Sequence, residues 1–224
     1  MRTLDELIDA REPGIELVRS WMAEARRPAE LLACARADGA ANLVQLQIST
    51  RSPMGALAYE TGGLLIDGGW VRVLGSRCER LPRGLVDQNR VGAEPRLTGA
   101  LLVGDDVVGG FFAVNGGCFG GERGEVFYLS PDTLEWEGLG AGYSDWLLWL
   151  LQGELEVFYA DWRWPGWQDE VAALAGDEAF SIYPPLVFEG PSLAERNRRA
   201  VPVEELWRLY AVDLPTQLAA NHDE

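Results

Sequence analysis

Helical and strand-like patterns of apolar residues alternate along the chain. Near the amino terminus, Thr3 precedes an apolar run and Glu6 follows three residues later, a capping-box pattern that predicts a helix over Leu4–Ala10. Apolar residues at helical spacing predict a second helix from Ile15 to about Arg26. The next stretch, Asp38–Gln47, follows neither period clearly, so a helix and a strand both stay open for it.

From Met54 onwards, glycines separate short apolar runs, a pattern typical of antiparallel hairpins. Leu64–Asp67 and Trp70–Leu74 are joined through Gly68-Gly69, which predicts one hairpin. Further strands are predicted at Leu31–Cys34, Gly110–Val114, Glu125–Leu129, Leu134–Trp136 and Ala179–Tyr183.

A second hairpin is predicted where Leu101–Val103 and Val107-Val108 flank Gly104-Asp105-Asp106. This pattern places Asp105 and Asp106 in the turn. Calcium loops supply acidic oxygens at fixed alternate positions followed by glycine, and no such loop occurs in the chain. We therefore expect no metal site there or elsewhere.

The carboxyl-terminal third is predicted to be mainly helical. Ser144 is a candidate N-cap for an aromatic-rich helix that Gly153 should end. Further helices are predicted at Trp167–Ala175 and Pro202–Tyr210, and residues 215–224 should form a frayed tail.

Interspersed helices and hairpins predict an α+β fold with a mainly antiparallel sheet of short strands and flanking helices. No stretch is rich enough in serine, proline or polar residues to mark a linker. The sequence therefore predicts a single domain over residues 1–224, a length that can bury a substantial core.

Charge is distributed unevenly in this chain of net charge -16. All nineteen basic residues are arginines. Residues Met1–Gly121 hold fifteen acids and thirteen arginines, whereas Glu122–Glu195 holds fifteen acids and only two arginines. A strongly negative field repels nucleic acids and anionic membrane surfaces and attracts a cationic protein. We therefore expect no nucleic-acid or membrane partner and favour a basic protein partner.

The localisation expected from the sequence is cytoplasmic. The amino terminus lacks the apolar core of a signal peptide, and no run approaches the length of a membrane span. Three widely spaced cysteines do not suggest a disulfide framework and are typical of a reducing compartment.

The residue types present exclude several kinds of enzyme. The single histidine, His222, lies near the chain end, so a histidine-dependent triad or zinc site held by a fixed scaffold is not expected. Without lysine, neither a P-loop nor a Schiff base can form. We predict no catalytic residues and no cofactor.

Carboxylates beside tryptophans remain as candidate binding chemistry. Tryptophan faces can stack on sugar rings, and paired carboxylates can act as acid and base in glycoside hydrolysis. The alternative interpretation is that the tryptophans fill the core, with Trp162 and Trp164 alternating along a strand. The candidate binding residues are Asp161, Trp162, Trp164, Trp167, Asp169 and Glu170.

The central part of the chain resembles the SUKH superfamily. The resemblance rests on two strands ending near Asn115-Gly116-Gly117, the strand-turn segment GEVFYLSPDT and the aromatic helix YSDWLLWLL, and it covers Gly62–Gly153. It implies a protein-binding module, often an immunity protein that neutralises a toxin, and no catalytic residues. The whole chain also resembles a bacterial family catalogued only as a domain of unknown function.

Two functional hypotheses follow. The favoured one is a non-enzymatic, cytoplasmic protein-binding module that recognises a basic partner, with immunity-type neutralisation as one form of it. The alternative is a carbohydrate-binding or small-ligand-binding protein, or a carboxylate-based hydrolase, that uses the Trp162–Trp167 region. A homo-oligomer that hides aromatic residues between copies also stays open.

Overall fold

Seven strands form one antiparallel sheet in which spatial order follows chain order. The computed structural model describes residues 1–222. The sheet strands are β1 (Ala29–Ala33), β2 (Thr61–Ile66), β3 (Val71–Leu74), β4 (Ala100–Asp106), β5 (Phe111–Asn115), β6 (Glu125–Leu129) and β7 (Trp136–Gly142). A separate antiparallel hairpin contains β8 (Glu178–Tyr183) and β9 (Asn197–Pro202).

Ten α-helices flank the sheet within the described residues. They are α1 (Leu4–Leu7), α2 (Gly14–Ala23), α3 (Arg36–Leu46), α4 (Pro53–Glu60), α5 (Leu85–Asn89), α6 (Tyr143–Gln152), α7 (Leu155–Phe158), α8 (Trp167–Ala172), α9 (Val203–Arg208) and α10 (Leu214–His222). None of these helices has the length and apolar character needed to cross a membrane.

The pleat of the sheet directs alternate side chains into two separate hydrophobic cores. Val71 and Val73 lie on the first face, which packs against α2, α4 and α6. Phe111 and Leu129 lie on the second face, which is covered by the β8–β9 hairpin and by α9 and α10. An α+β domain with an antiparallel sheet and flanking helices, as the sequence predicts, is confirmed.

Local sequence signals locate several elements correctly. The Thr3 N–H donates to the Glu6 carboxylate at 2.7 Å, which is one half of the predicted capping box. The predicted hairpin through Gly68-Gly69 is present, since β2 pairs with β3. The aromatic helix ends at Gly153 as predicted, although its N-cap is Gly142 rather than Ser144.

The prediction that Asp105 and Asp106 form a turn is wrong. Strand β4 continues through both residues, and they pair with Phe111 of β5 and Val71 of β3, respectively. The turn lies at residues 107–110, where Gly109 adopts a φ of 94°. Buried hydrogen-bond partners for both carboxylates, described below, outweigh their low preference for strands.

Tertiary packing decides other segments that the sequence left open or described differently. Most of the ambiguous stretch Asp38–Gln47 lies in α3, whose buried side chains include Leu43. Trp162 ends a short 3₁₀ turn, so the alternating strand that we considered for Trp162 and Trp164 does not form. The chain beyond Pro215, expected to be a frayed tail, is helical to His222, and residues 223–224 lie outside the described residues.

Candidate functional site

An apolar groove of about 330 Å³ lies where the edge strand β7 meets α6 and α7 on the first face. Val157, in α7 beside this groove, is 70% exposed, and the adjacent Phe158 is 36% exposed. Single exposed apolar residues are ordinary, but an apolar groove whose wall includes the partly exposed Phe158, next in sequence to the exposed Val157, suits a partner. The groove is lined by Leu139, Ala141, Trp146, Trp149 and Phe158.

Helix α6 positions the aromatic wall of the groove. In this helix Trp146 and Leu150 are completely buried, whereas Trp149 is half-buried and lines the groove. Phe158, at the end of α7, meets Trp149 edge-on with ring centroids 5.2 Å apart. Such aromatic contacts hold the wall in place before any partner arrives.

A bulge in β7 shapes the sheet side of the groove. Three residues of β7 between Gly138 and Gly142 lie opposite a single residue of β6. Gly140 adopts a left-handed φ of 64°, and its N–H donates to the Glu125 carboxylate at 2.9 Å. Because a bulge blunts an open strand edge, side chains rather than a free backbone ladder dominate this surface.

Three exposed carboxylates lie on β7, on α6 and in the turn after α7, that is, on or next to the elements that form the groove. Glu137 lies opposite Tyr128 in the β6–β7 ladder, and the Tyr128 ring packs against the end of α7. Asp145 lies in the first turn of α6, four residues before Trp149 and therefore on the same side of the helix. Asp161 lies in the turn after α7. Within residues 1–222, no arginine pairs with these three carboxylates, which we call the acidic rim.

The acidic rim belongs to a larger region of uncompensated charge. Of the fifteen acids in Glu122–Glu195, three form ion pairs within the described residues, leaving twelve without one. The acids that pair are Glu154 with Arg26, Glu156 with Arg27 and Glu170 with Arg198. The excess negative charge of this segment is therefore largely uncompensated by ion pairs in the folded chain.

Most of the predicted tryptophan-rich binding segment packs into the protein. Trp164 is 2% exposed, and its indole N–H donates to the Glu170 carboxylate at 2.7 Å. The Arg198 guanidinium lies over the Trp164 ring at 4.3 Å and pairs with Glu170 at 3.3 Å. These contacts occupy both groups, so neither is open to a sugar as the structure stands.

The remaining members of that segment have different surroundings. Trp167 is buried, and Arg163 stacks on its ring at 4.5 Å. Trp162 is half-buried, while Asp161 and Asp169 are exposed. No hydrogen bond or ion pair of the described residues links either aspartate to the buried tryptophans. Ligand binding by this segment stays a prediction.

A buried charge network that no local sequence pattern indicated is centred on Asp105, on the second face of the sheet. Arg72 contacts this carboxylate through Nε at 2.7 Å, and Arg83 contacts it through Nη2 at 2.9 Å. Burial alone would raise the pKa of Asp105, but the two guanidinium groups outweigh burial and hold that pKa below its ordinary value. Arg83 also donates to the Gly176 carbonyl at 3.0 Å, which ties the network to the start of the β8–β9 hairpin.

Asp106 points to the opposite face and forms no ion pair with an arginine of residues 1–222. Its carboxylate accepts hydrogen bonds from the hydroxyls of Tyr128 at 2.6 Å and Tyr159 at 2.9 Å. It also accepts the backbone N–H groups of Val108 at 3.0 Å and Gly110 at 2.8 Å. Burial raises the pKa of Asp106, and the hydrogen bonds from Tyr128 and Gly110 only partly oppose that effect.

These two networks serve the fold rather than an exposed reaction centre. Asp106 is 0% exposed, and burial raises the pKa of Tyr128 and of Tyr159 well above the ordinary tyrosine value. The tyrosines therefore stay protonated and donate to Asp106. The described residues also contain no group of three or more histidine, cysteine, aspartate or glutamate side chains arranged to hold a metal ion.

Comparison with known proteins identifies the family. The chain is 41% identical over 211 residues to the uncharacterized protein YbfG of Escherichia coli (strain K12), a match that covers 93% of this chain and 95% of that one. It is 38% identical over 211 residues to an uncharacterized protein of Haemophilus influenzae (strain ATCC 51907 / DSM 11121 / KW20 / Rd), covering 91% of each chain. No solved structure matches the chain significantly. The profile described as "Protein of unknown function DUF2625" matches residues 4–206, and the chain belongs to this family.

Proposed function

We propose that this chain is a non-enzymatic protein-binding module whose apolar groove and acidic rim recognise a basic partner protein. The observation that carries the proposal is an apolar groove bordered by the exposed Val157 and Phe158 of α7, with three exposed carboxylates on or next to its elements that pair with no arginine of the described residues. Apolar anchors supply affinity in such interfaces, and complementary charge supplies orientation and rate of association.

The negative charge of the acidic rim favours a basic protein over a second copy of this chain as the partner that binds the groove. A second copy of this chain would bring its own acidic rim and its own net charge of -16 to the contact. Like charges placed together oppose such a contact, whereas a surface rich in lysine and arginine removes the repulsion. We therefore assign the groove to a cationic protein that inserts an apolar side chain against Leu139 and Trp149 and covers the exposed Val157.

Two features of the sequence support this class of function. The SUKH-like pattern of Gly62–Gly153 includes β6, β7 and α6, which form much of the groove. Members of that superfamily bind proteins, and immunity-type neutralisation of a basic toxin is the specific form we propose. The three free cysteines suit a cytoplasmic setting.

A photo-crosslinking experiment tests the proposal. A photoreactive amino acid is placed at Val157, or as a control at Val212, an apolar residue of another surface that is 50% exposed. We expect ultraviolet light to link a basic protein to position 157 and not to position 212. Equal labelling at the two positions, or labelling of acidic proteins alone, would contradict the proposal.

Binding measurements with the purified partner separate the contribution of the apolar residue Val157 from that of the acidic rim. We expect Val157→Asp to weaken binding about 10-fold or more, because burial of a valine contributes about 1.5 kcal/mol or more. The matched Val212→Asp change should leave the affinity unaltered.

Neutralising the acidic rim should act mainly on association. In the triple variant Glu137→Gln, Asp145→Asn, Asp161→Asn, we expect slower association and a weaker salt dependence than in the unmodified protein. Neutralising three exposed acids far away in sequence, Asp5, Glu24 and Glu94, provides the control. An equal effect in both triples would mean that net charge alone is recognised, and the groove would lose its role.

A further inference from the structure

A cleft of about 380 Å³ lies on the second face of the sheet, between β2, β3 and α8. This part of the second face lies away from the groove, which opens on the first face. The cleft combines an apolar lining with charges of both signs. Its apolar residues include Leu65, Val107, Val171 and Leu174, and its charged residues are Arg72, Glu79, Arg80 and Asp177.

Arg72 lines the floor of the cleft and is 3% exposed. Its guanidinium donates through Nε to the Asp105 carboxylate, through Nη2 to the Asp106 carbonyl at 3.1 Å, and through Nη1 to the Glu178 carbonyl, and Nη2 also lies 2.6 Å from the Asp105 carboxylate as an ion pair. Nη1 carries two N–H groups, so the single hydrogen bond to Glu178 leaves one of them for another acceptor. Both Arg72 and Arg83 are positive around a single Asp105 carboxylate, which favours an additional anion nearby.

Arg80 lines the same cleft, and a ligand can replace its present ion-pair partner. Its Nη1 pairs with the Glu30 carboxylate at 2.5 Å, and both side chains are more than half exposed. Exposed pairs of this kind contribute little net free energy, so a ligand carboxylate can replace Glu30 at small cost. A guanidinium can hold a carboxylate through two parallel N–H bonds, which fixes the orientation of the ligand.

We propose that this cleft binds a small monocarboxylate with a short, branched apolar body. The carboxylate replaces Glu30 on Arg80 above the buried Arg72, and the apolar body packs against Leu65, Val171 and Leu174. Glu79 and Asp177 in the lining disfavour a dianion, which selects a monocarboxylate over a phosphate. The proposal is independent of the protein-binding function, because it uses a different face of the sheet.

Isothermal titration calorimetry with 4-methylpentanoate tests the site in the full-length protein. We expect saturable binding with a Kd of about 1 mM or tighter, as befits so small a ligand. The neutral 4-methylpentanamide has the same apolar body, and inorganic phosphate has the charge without that body. Both should bind at least about 10-fold more weakly, since each lacks one of the two features that the cleft recognises.

Two variants with opposite expected effects identify the residues. Arg80→Gln should weaken 4-methylpentanoate binding by about 10-fold or more. Glu30→Gln should strengthen binding about 2- to 5-fold, because it removes the competing carboxylate. Arg11→Gln, at an exposed arginine without an ion pair in the described residues, is the control and should change nothing.

Several results would overturn the assignment. They are the absence of saturable binding, equal binding of the amide, or unchanged affinity in Arg80→Gln. Amide N–H chemical shifts give an independent readout: the ligand should move the signals of Gly68, Gly69 and Gly176, which line the cleft. Shifts confined to Val157 and its neighbours would assign the ligand to the groove instead and would also reject this site.

Discussion

Two adjacent aspartates show how strongly position in a strand controls residue chemistry. Asp105 and Asp106 have the same side chain, yet the alternation of the strand sends them into different cores. One meets two guanidinium groups and the other meets two tyrosine hydroxyls. Their pKa values consequently move in opposite directions, lowered for Asp105 and raised for Asp106.

Asp106→Asn should change how stability depends on pH. Because burial raises the folded-state pKa of Asp106, the folded protein takes up this proton before the unfolded chain, whose aspartates titrate near about pH 3.9. The contribution of Asp106 to stability therefore rises as the pH falls through the raised folded-state pKa toward the unfolded-state value of about 3.9. Urea unfolding should show a larger stability difference between wild type and Asp106→Asn at the lower pH. A difference in the free energy of unfolding that stays constant or shrinks on acidification would contradict this prediction. Asp169→Asn, at an exposed site, serves as the control.

The β4–β5 hairpin shows why one element could be located from the sequence while its turn could not. Apolar runs on both sides of Gly104–Gly110 correctly indicated two paired strands. Both Gly104-Asp105-Asp106 and Gly109-Gly110 are good turn sequences, so local preference could not choose between them. The position of the turn is fixed by hydrogen bonds to the two aspartates from residues distant in the chain. Their donors are Arg72, Arg83, Tyr128 and Tyr159.

Gly110→Ala should test this turn directly. A Cβ at Gly110 would collide with the Tyr128 hydroxyl and the Asp106 carboxylate, which are already hydrogen-bonded to each other. We expect a loss of about 2–4 kcal/mol in the free energy of unfolding, from overpacking and disrupted buried hydrogen bonds. Gly120→Ala, where a Cβ meets nothing within 4 Å, should stay within about 0.5 kcal/mol of wild type. Chemical denaturation measures both variants. Similar losses of unfolding free energy in Gly110→Ala and Gly120→Ala would show that disruption of the Asp106 network does not cause the destabilisation.

At the scale of the whole molecule, the fold pairs many arginines with acids and leaves one acidic region uncompensated. The twelve acids of Glu122–Glu195 without ion pairs in the described residues repel one another in the folded chain. This repulsion weakens when a cationic partner or dissolved salt screens it.

Salt should therefore stabilise the free protein. We expect moderate NaCl, compared with low salt, to raise the Tm by about 2–4 °C, which corresponds to about 1 kcal/mol for a chain of this length. A variant with Glu135, Asp169 and Glu189 neutralised, all of them exposed, should show a smaller rise. Differential scanning calorimetry of both proteins provides the comparison, and a Tm that falls with salt would mean that attractive pairs dominate.

The sequence by itself determined the α+β class, the β2–β3 hairpin, the aromatic helix α6 and the acidic bias of Glu122–Glu195. These properties depend on local periodicity, turn residues and composition, which a sequence displays directly. Only the tertiary structure decided that Trp164 is a core residue, that Asp105 and Asp106 lie buried in a strand, and that β7, α6 and α7 form a groove. Each of these outcomes depends on partners far away in the chain, since burial and hydrogen bonding are properties of packed neighbours rather than of one residue.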